Sequence, residues 1–298
     1  MKILITGGTG LIGRALCQRW HAAGHELTVL SRTPSRVAAL CSGAHGVAAL
    51  SELDATYVPD VVVNLAGAPI ADARWSVARQ RLLWDSRITA TQELVRWMAS
   101  RPAVVPVLLS ASAVGWYGDA GEQTVDEHSS QCGHDFGARL CAAWEQAAQQ
   151  ASQGGSRVVV LRISPVLAAQ GGMLGRLLPP FRLGLGGRLG HGQQWMPWIH
   201  LDDLLALFDH LLARPDSQGI FNACAPELVR NSEFSGQLAS TLHRPALLPA
   251  PAWLLRLLLG EMSVLLLGGQ RAIPMRTLAS GFVFRYGGLQ QALRNLLS

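Results

Sequence analysis

The chain carries two alternating spacings of apolar residues. Residues 3–5, Glu26–Leu30, residues 61–63, residues 104–109 and Arg157–Ile163 are short apolar runs with the length of buried strands. Ile12, Ala15, Leu16 and Trp20 recur at helical spacing behind the first run. Residues 75–100 and 136–152 also read as helices. Strand and helix alternating as far as Ile163 predict an α/β fold, a doubly wound parallel sheet.

After Ser164 the pattern changes. Gly171, Gly172, Gly184, Gly186, Gly187, Gly190 and Gly192 mark loops or a lid. Residues 195–200 read as a short strand, Leu201–Ala213 as a helix and Gly219–Ala223 as a strand. Residues 231–242 and 251–259 read as helices. The expected organisation is a nucleotide-binding domain over residues 1–165 and a smaller substrate lobe with a C-terminal extension over residues 166–298. Parts of 195–225 are free to return to the main sheet.

The first strand breaks into Gly7-Gly8-Thr9-Gly10-Leu11-Ile12-Gly13 and runs on into the helix. Strand, glycine turn and helix form the first half of a Rossmann-type dinucleotide unit. Gly7 serves the tight turn, Gly10 the approach of a pyrophosphate, and Gly13 the packing of helix on strand. The helix start offers unpaired N–H groups to phosphate. The second strand ends in Ser31-Arg32, where an NAD site commonly carries Asp or Glu. A guanidinium there suits a 2′-phosphate, and Ser31 adds a hydroxyl. This favours NADP(H); the competing role for Arg32 and Arg36 is solvated surface charge. Leu65, Ala66 and Gly67, after the 61–63 strand and Asn64, are small enough at that strand end for a nucleotide to lie against the backbone.

Composition narrows the class. At 298 residues, with 49% hydrophobic and 15% charged residues, the chain is globular. The first strand begins at once, which argues against a signal peptide. Arg256, Gly260 and Glu261 interrupt the apolar stretch 251–269, so it reads as a packing or partner-facing helix, not a membrane span. That stretch permits a homodimer. Five cysteines without a CxxC pair fit reduced thiols and a cytoplasmic location. Nine histidines without HExxH spacing predict no metal site. The net charge of +5 comes from scattered arginines, which predicts no nucleic-acid partner.

Three motifs resemble the extended short-chain dehydrogenase/reductases: the glycine turn, Asn64-Leu65-Ala66-Gly67, and Ser110-Ala111-Ser112-Ala113-Val114-Gly115-Trp116-Tyr117-Gly118. Ala73-Arg74-Trp75, Ser86-Arg87, residues 178–187, Trp198-Ile199-His200 and Gly268-Gly269-Gln270-Arg271 are similar to its atypical "epimerase family protein" branch. The resemblance implies cofactor contacts from Thr9, Leu11, Ile12, Arg87 and Val166, and a substrate-orienting role for Ser112. It also implies a Tyr-x-x-x-Lys pair for proton transfer, which this chain lacks. Phe136 and Leu140 stand near those places, and the only lysine is Lys2. Phenylalanine and leucine cannot move a proton.

Tyr117 is the remaining candidate acid, with packed aromatic as its competing role. Cys141 and His134 lie near the absent pair without a sign of activation. His200, Asp202 and Asp203 resemble a strand-to-helix junction, with Asp202 as its cap. Arg182, Trp195 and Trp198 are candidates for lining a substrate pocket. Two functions stay open. One is an NADP(H)-dependent, epimerase-like oxidoreductase acting on a small molecule with a rebuilt proton route. The other is a non-catalytic NADP(H) sensor or partner-binding protein.

Overall fold

The computed structural model describes residues 1–297. Seven parallel strands form one sheet: β1 (Lys2–Thr6), β2 (Glu26–Leu30), β3 (His45–Val47), β4 (Val61–Asn64), β5 (Val107–Ala113), β6 (Arg157–Ile163) and β7 (Gly219–Ala223). Their order is β3-β2-β1-β4-β5-β6-β7. The chain builds outward from β1 on one side, then returns to build outward on the other. The order therefore reverses between β1 and β4, and a crevice opens there at the carboxyl edge.

Residues alternate between the two covered faces of the sheet. Ile3, Ile5, Val61, Val63, Leu109, Val159 and Leu161 pack in one core with α1 (Leu11–Ala22) and with the helix Leu201–Ala213. Leu4, Val62, Leu108, Val158 and Val160 pack in another, against the helix Ala90–Ala99. Burial on both faces explains why these runs are continuously apolar.

Several expected boundaries move. The 104–109 run enters the sheet only at Val107, because Pro106 has no N–H to give the ladder. The strand continues through the polar Ser110 and Ser112, whose hydroxyls find buried partners. The 75–100 helix is three pieces: α2 (Val77–Trp84), a wider π-turn at Asp85–Thr89, and α3 (Ala90–Ala99). Trp75 lies before it, because the Ser76 hydroxyl caps the helix by accepting from Arg79 N at 3.2 Å. The 136–152 helix is α4 (Phe136–Gln149) followed by a 3₁₀ turn. Of residues 195–200 only Ile199–His200 form a strand, paired with Val166 and Leu167, while Trp195 makes a single bridge to Arg230; Pro197 interrupts the run.

The second lobe packs α5 (Gly172–Arg182), the helix Asn231–Thr241 and the C-terminal helix Leu289–Leu297 around Leu174, Phe181, Trp198, Phe234 and Leu293. Gly219–Ala223 returns to the main sheet beside β6.

Candidate functional site: a dinucleotide crevice

The glycine turn is held by contacts that admit no side chain. A Cβ on Gly7 would stand 2.5 Å from Leu65 O, and one on Gly13 would stand 2.4 Å from Gly7 O. Gly7 also has φ +71°, a conformation that suits glycine. Gly10 N donates to Gly7 O at 3.0 Å, and Gly10 begins α1 with no side-chain cap. The first-turn N–H groups of Leu11, Ile12 and Gly13 therefore face the crevice without an intrahelical acceptor. Thr9 sits half-buried in the turn.

Strand β4 supplies the opposite wall. Leu65 N donates to Thr6 O, and Ala66 N donates to the Thr6 hydroxyl at 3.2 Å. A Cβ on Gly67 would stand 2.8 Å from Arg87 Cζ, so this glycine lets the guanidinium lie against the backbone. The π-turn accounts for the position of that guanidinium. Ser86 Oγ accepts from Ala68 N at 3.0 Å and donates to Leu83 O, fastening the turn to the strand end. Arg87 Cζ lies 5.2 Å from the Trp144 ring centroid. Burial pulls the Arg87 pKa below its ordinary value. Among the described residues no carboxylate pairs with it. A half-buried cation with no counterion beside a strand end fits an anionic group of a ligand.

Ser31 and Arg32 follow β2, next to β1 in the sheet. Arg32 is exposed and unpaired among the described residues. The Ser31 hydroxyl accepts from Thr33 N at 3.2 Å. Val166 leads to Gly171 and Gly172, which pack on the Leu11 side chain and so close over the turn. A cavity of about 490 Å³ opens beside them, with Arg176 and Arg182 in its lining. Trp198 is core, and Trp195 donates to Glu122 under the guanidinium of Arg230.

The carboxyl ends of β5, β6 and β7 tell a different story. Ser112, Arg162 and Asn222 stand in register across three strands. Ser112 Oγ donates to Glu145 Oε1 at 2.7 Å. Arg162 grips both oxygens of Glu145 at 2.8 Å, and its Cζ lies 3.6 Å from the Trp116 ring centroid. Arg162 is 1% exposed. Burial acts to lower its pKa, but Glu145 outweighs that and raises it. Tyr117 donates its hydroxyl within reach of both Asp126 O (2.8 Å) and Asn222 Oδ1 (2.9 Å). Burial pushes its pKa up to about 12. The phenol is thus turned into the interior, away from the role expected for it at the nicotinamide end. Phe136 meets Trp75 edge-on, with centroids 5.1 Å apart. Cys141 is buried, and burial pushes its thiol up to about 12 as well.

At the strand-to-helix junction His200 is the cap, since Nδ1 accepts from Asp202 N at 3.0 Å. Asp202 is not the cap, and Asp203 instead accepts from the backbone of Arg285 and Tyr286. Glu145 and Arg162 were not among the sequence candidates. Their signal was present, because a charged residue inside the apolar run of β6 requires a buried partner.

Crevice, glycine turn and strand order together define a dinucleotide-binding fold. Residues 3–224 match the NAD dependent epimerase/dehydratase family, and residues 250–296 match a domain of unknown function, DUF1731. The chain is 41% identical over 297 residues to an epimerase family protein of Mycobacterium bovis, covering 98% of this chain and 96% of that one. It is 39% identical to the chloroplastic "Epimerase family protein SDR39U1 homolog" of Arabidopsis thaliana, covering 100% of this chain and 87% of that one. A crystal structure of human SDR39U1 with NADPH superposes with a TM-score of 0.89 at 36% identity, covering 99% of each chain. The chain belongs to the epimerase/dehydratase family, in its atypical extended short-chain dehydrogenase/reductase branch.

Among the described residues no helix is long and apolar enough to cross a membrane. No three His, Cys, Asp or Glu side chains among them cluster as a metal site requires.

Proposed function

We propose that this chain is an NADP(H)-binding protein that senses the cofactor and does not catalyse proton transfer in the manner of its family. The observation that carries this reading is the occupation of the nicotinamide end by internal bonds. Ser112 is committed to Glu145, Tyr117 is committed to the interior, and Phe136 stands against Trp75. A general acid or base must reach the proton it moves, and none of these groups is free to do so.

Binding rests on other groups. The glycine turn and first turn of α1 would hold the pyrophosphate, with Arg87 as a nearby cation. Arg32 and Ser31 would take the 2′-phosphate, and Leu65, Ala66, Gly67 and Val166 would line the nucleotide's path. The nicotinamide ring, when bound, would supply hydride chemistry. The NADPH in the human relative's crystal structure supports this choice of cofactor. The free cysteines support a reducing, cytoplasm-like compartment.

Ser112 favours a second reading, an NADP(H)-dependent oxidoreductase. With its proton fixed on Glu145, its oxygen remains an acceptor for a substrate hydroxyl. Titration with NADPH and NADH, followed by energy transfer from tryptophan, tests the cofactor. A preference for NADPH that collapses in Arg32→Ala supports it, and equal affinities remove Arg32 from that role. Incubation of the NADP⁺-loaded protein with a metabolite extract tests catalysis. Appearance of NADPH that is lost in Ser112→Ala would overturn the sensor reading.

A further inference from the structure

The crevice has two banks, and one side chain joins them. One bank is the glycine turn with the second lobe behind it. Gly171 and Gly172 pack on Leu11, and a Cβ on Gly172 would stand 2.8 Å from Val166 O. The helix α5 that starts there is fixed by Leu174, Leu178 and Phe181 in the core of the second lobe. The other bank is the end of β4, residues 65–67, which runs on into residues 68–74. Arg176, one helical turn into α5, reaches across. Its Nη1 donates to Ala71 O at 2.8 Å, and its Nη2 pairs with the Asp72 carboxylate.

The two banks differ in rigidity. Among the described residues, no backbone–backbone hydrogen bond ties residues 68–73 to the rest of the chain. Side chains hold this segment instead. Ser86 Oγ accepts from Ala68 N, Arg79 donates to Pro69 O, and Trp75 Nε1 donates to Ile70 O at 3.0 Å. At the far end Arg74 donates to the carbonyls of Leu257 and Leu258, in the short helix Ala252–Leu259. The Arg176 and Asp72 side chains are 58% and 45% exposed. A segment held by a few exposed side-chain bonds opens locally at far lower cost than the sheet beneath it.

We propose that residues 68–74 are a gate on the crevice, latched by the bonds of Arg176 to Ala71 and Asp72, and that opening this latch sets the rate of dinucleotide exchange. The role rests on the chain binding NADP(H). A bond that bridges the banks obstructs passage in both directions. Loosening it speeds association and release together and leaves their ratio, the affinity, nearly unchanged. Losing a direct cofactor contact speeds release alone. Arg176 also lines the cavity beside Gly172, so the two roles must be told apart at this residue. Asp72 separates them. If Arg176 held a phosphate of the cofactor, freeing it from Asp72 would slow release.

Stopped-flow mixing with NADPH, followed by energy transfer from tryptophan, gives the association rate, and displacement by excess NADP⁺ gives the release rate. Asp72→Ala should raise both about threefold, the scale of an exposed ion pair. Arg176→Ala also loses the bond to Ala71 and should raise both about tenfold. In each variant Kd should stay within about twofold of wild type, because a gate acts equally on both directions. Raising the salt from about 0.05 M to about 0.5 M should speed release more in the wild type than in Asp72→Ala, since an exposed pair is screened. Unchanged rates in Arg176→Ala, faster release with unchanged association in either variant, or slower release in Asp72→Ala overturns the gate. NADPH binding in the same traces then leaves the cofactor reading standing. A wild type that binds no NADPH overturns both.

Discussion

The two ends of the crevice are built on opposite principles. At the glycine-turn end the chain leaves polar groups open: the first-turn N–H groups of α1, the Arg87 guanidinium and the exposed Arg32. At the β5–β7 end every candidate side chain already has an internal partner. One end waits for an anion; at the other Ser112, Tyr117 and Glu145 are paired internally, and Arg162 Nη1 is buried without a hydrogen-bond partner. A fold can therefore keep a cofactor site intact while its reactive corner becomes part of the core, since function belongs to the site and not to the architecture.

The sharpest way to break this contrast is to open the closed end. Removing one member of a buried ion pair leaves the other charge stranded, at a cost of about 3–5 kcal/mol. Glu145→Leu should lose about that much stability in urea unfolding. Replacing both partners, as Glu145→Leu with Arg162→Met, should recover most of it. If the double variant is no better than the single, the pair is not the unit that closes this end.

The open end should fail by sterics before it fails by charge. Gly13→Ala forces a Cβ against Gly7 O, where the available gap is 2.4 Å. Overpacking of this kind costs about 1–3 kcal/mol. NADPH affinity should fall by at least about tenfold, because the turn that presents the N–H groups must move. Retained affinity would mean that the turn tolerates displacement, and that the cradle matters less than the cations.

Arg87→Leu separates binding from folding. A charge-assisted hydrogen bond is worth about 1.5–3 kcal/mol, so NADPH should bind about 10–100-fold more weakly. The apo protein should be little less stable, because the variant removes a half-buried cation that has no carboxylate partner among the described residues and only a distant ring contact with Trp144. A loss of stability with unchanged NADPH affinity would make Arg87 a structural residue.

The two ends also differ in how far the sequence discloses them. The glycine turn is contiguous in the chain, so Gly7, Gly10 and Gly13 carry their own structural context. The strands Glu26–Leu30, Arg157–Ile163 and Gly219–Ala223 and the helix Leu201–Ala213 follow from periodicity at their observed bounds. β3 was not anticipated, since His45-Gly46-Val47 is too short and too glycine-rich to show a period. The closed end is assembled across distance. Ser112 meets Glu145 from 33 residues away, and Asn222 meets Tyr117 across 105. Strand register together with the packing of α4 and of the turn at Val114–Tyr117 brings these residues together, and one-dimensional spacing does not report it. The π-turn at Asp85–Thr89 was likewise hidden inside a run that reads as ordinary helix.

The smallest expected effect lies at a third place, the junction between the sheet and the second lobe. Burial holds the His200 pKa below its ordinary value, and Nδ1 must be unprotonated to accept from Asp202 N. The folded chain therefore resists protonating this ring, while the unfolded chain takes the proton near pH 6.5. Its contribution to stability is fully present above that pH and is lost as the pH falls through it toward the folded value. His210, also lowered by burial, adds to the same window. Urea midpoints should decline from pH 7.5 to 5.5, by an amount comparable to one helix cap at about 1 kcal/mol. His200→Asn retains a capping acceptor but cannot titrate, so its decline should be shallower. An equal decline in wild type and variant would place the acid sensitivity elsewhere and leave the junction a passive hinge between the two ends.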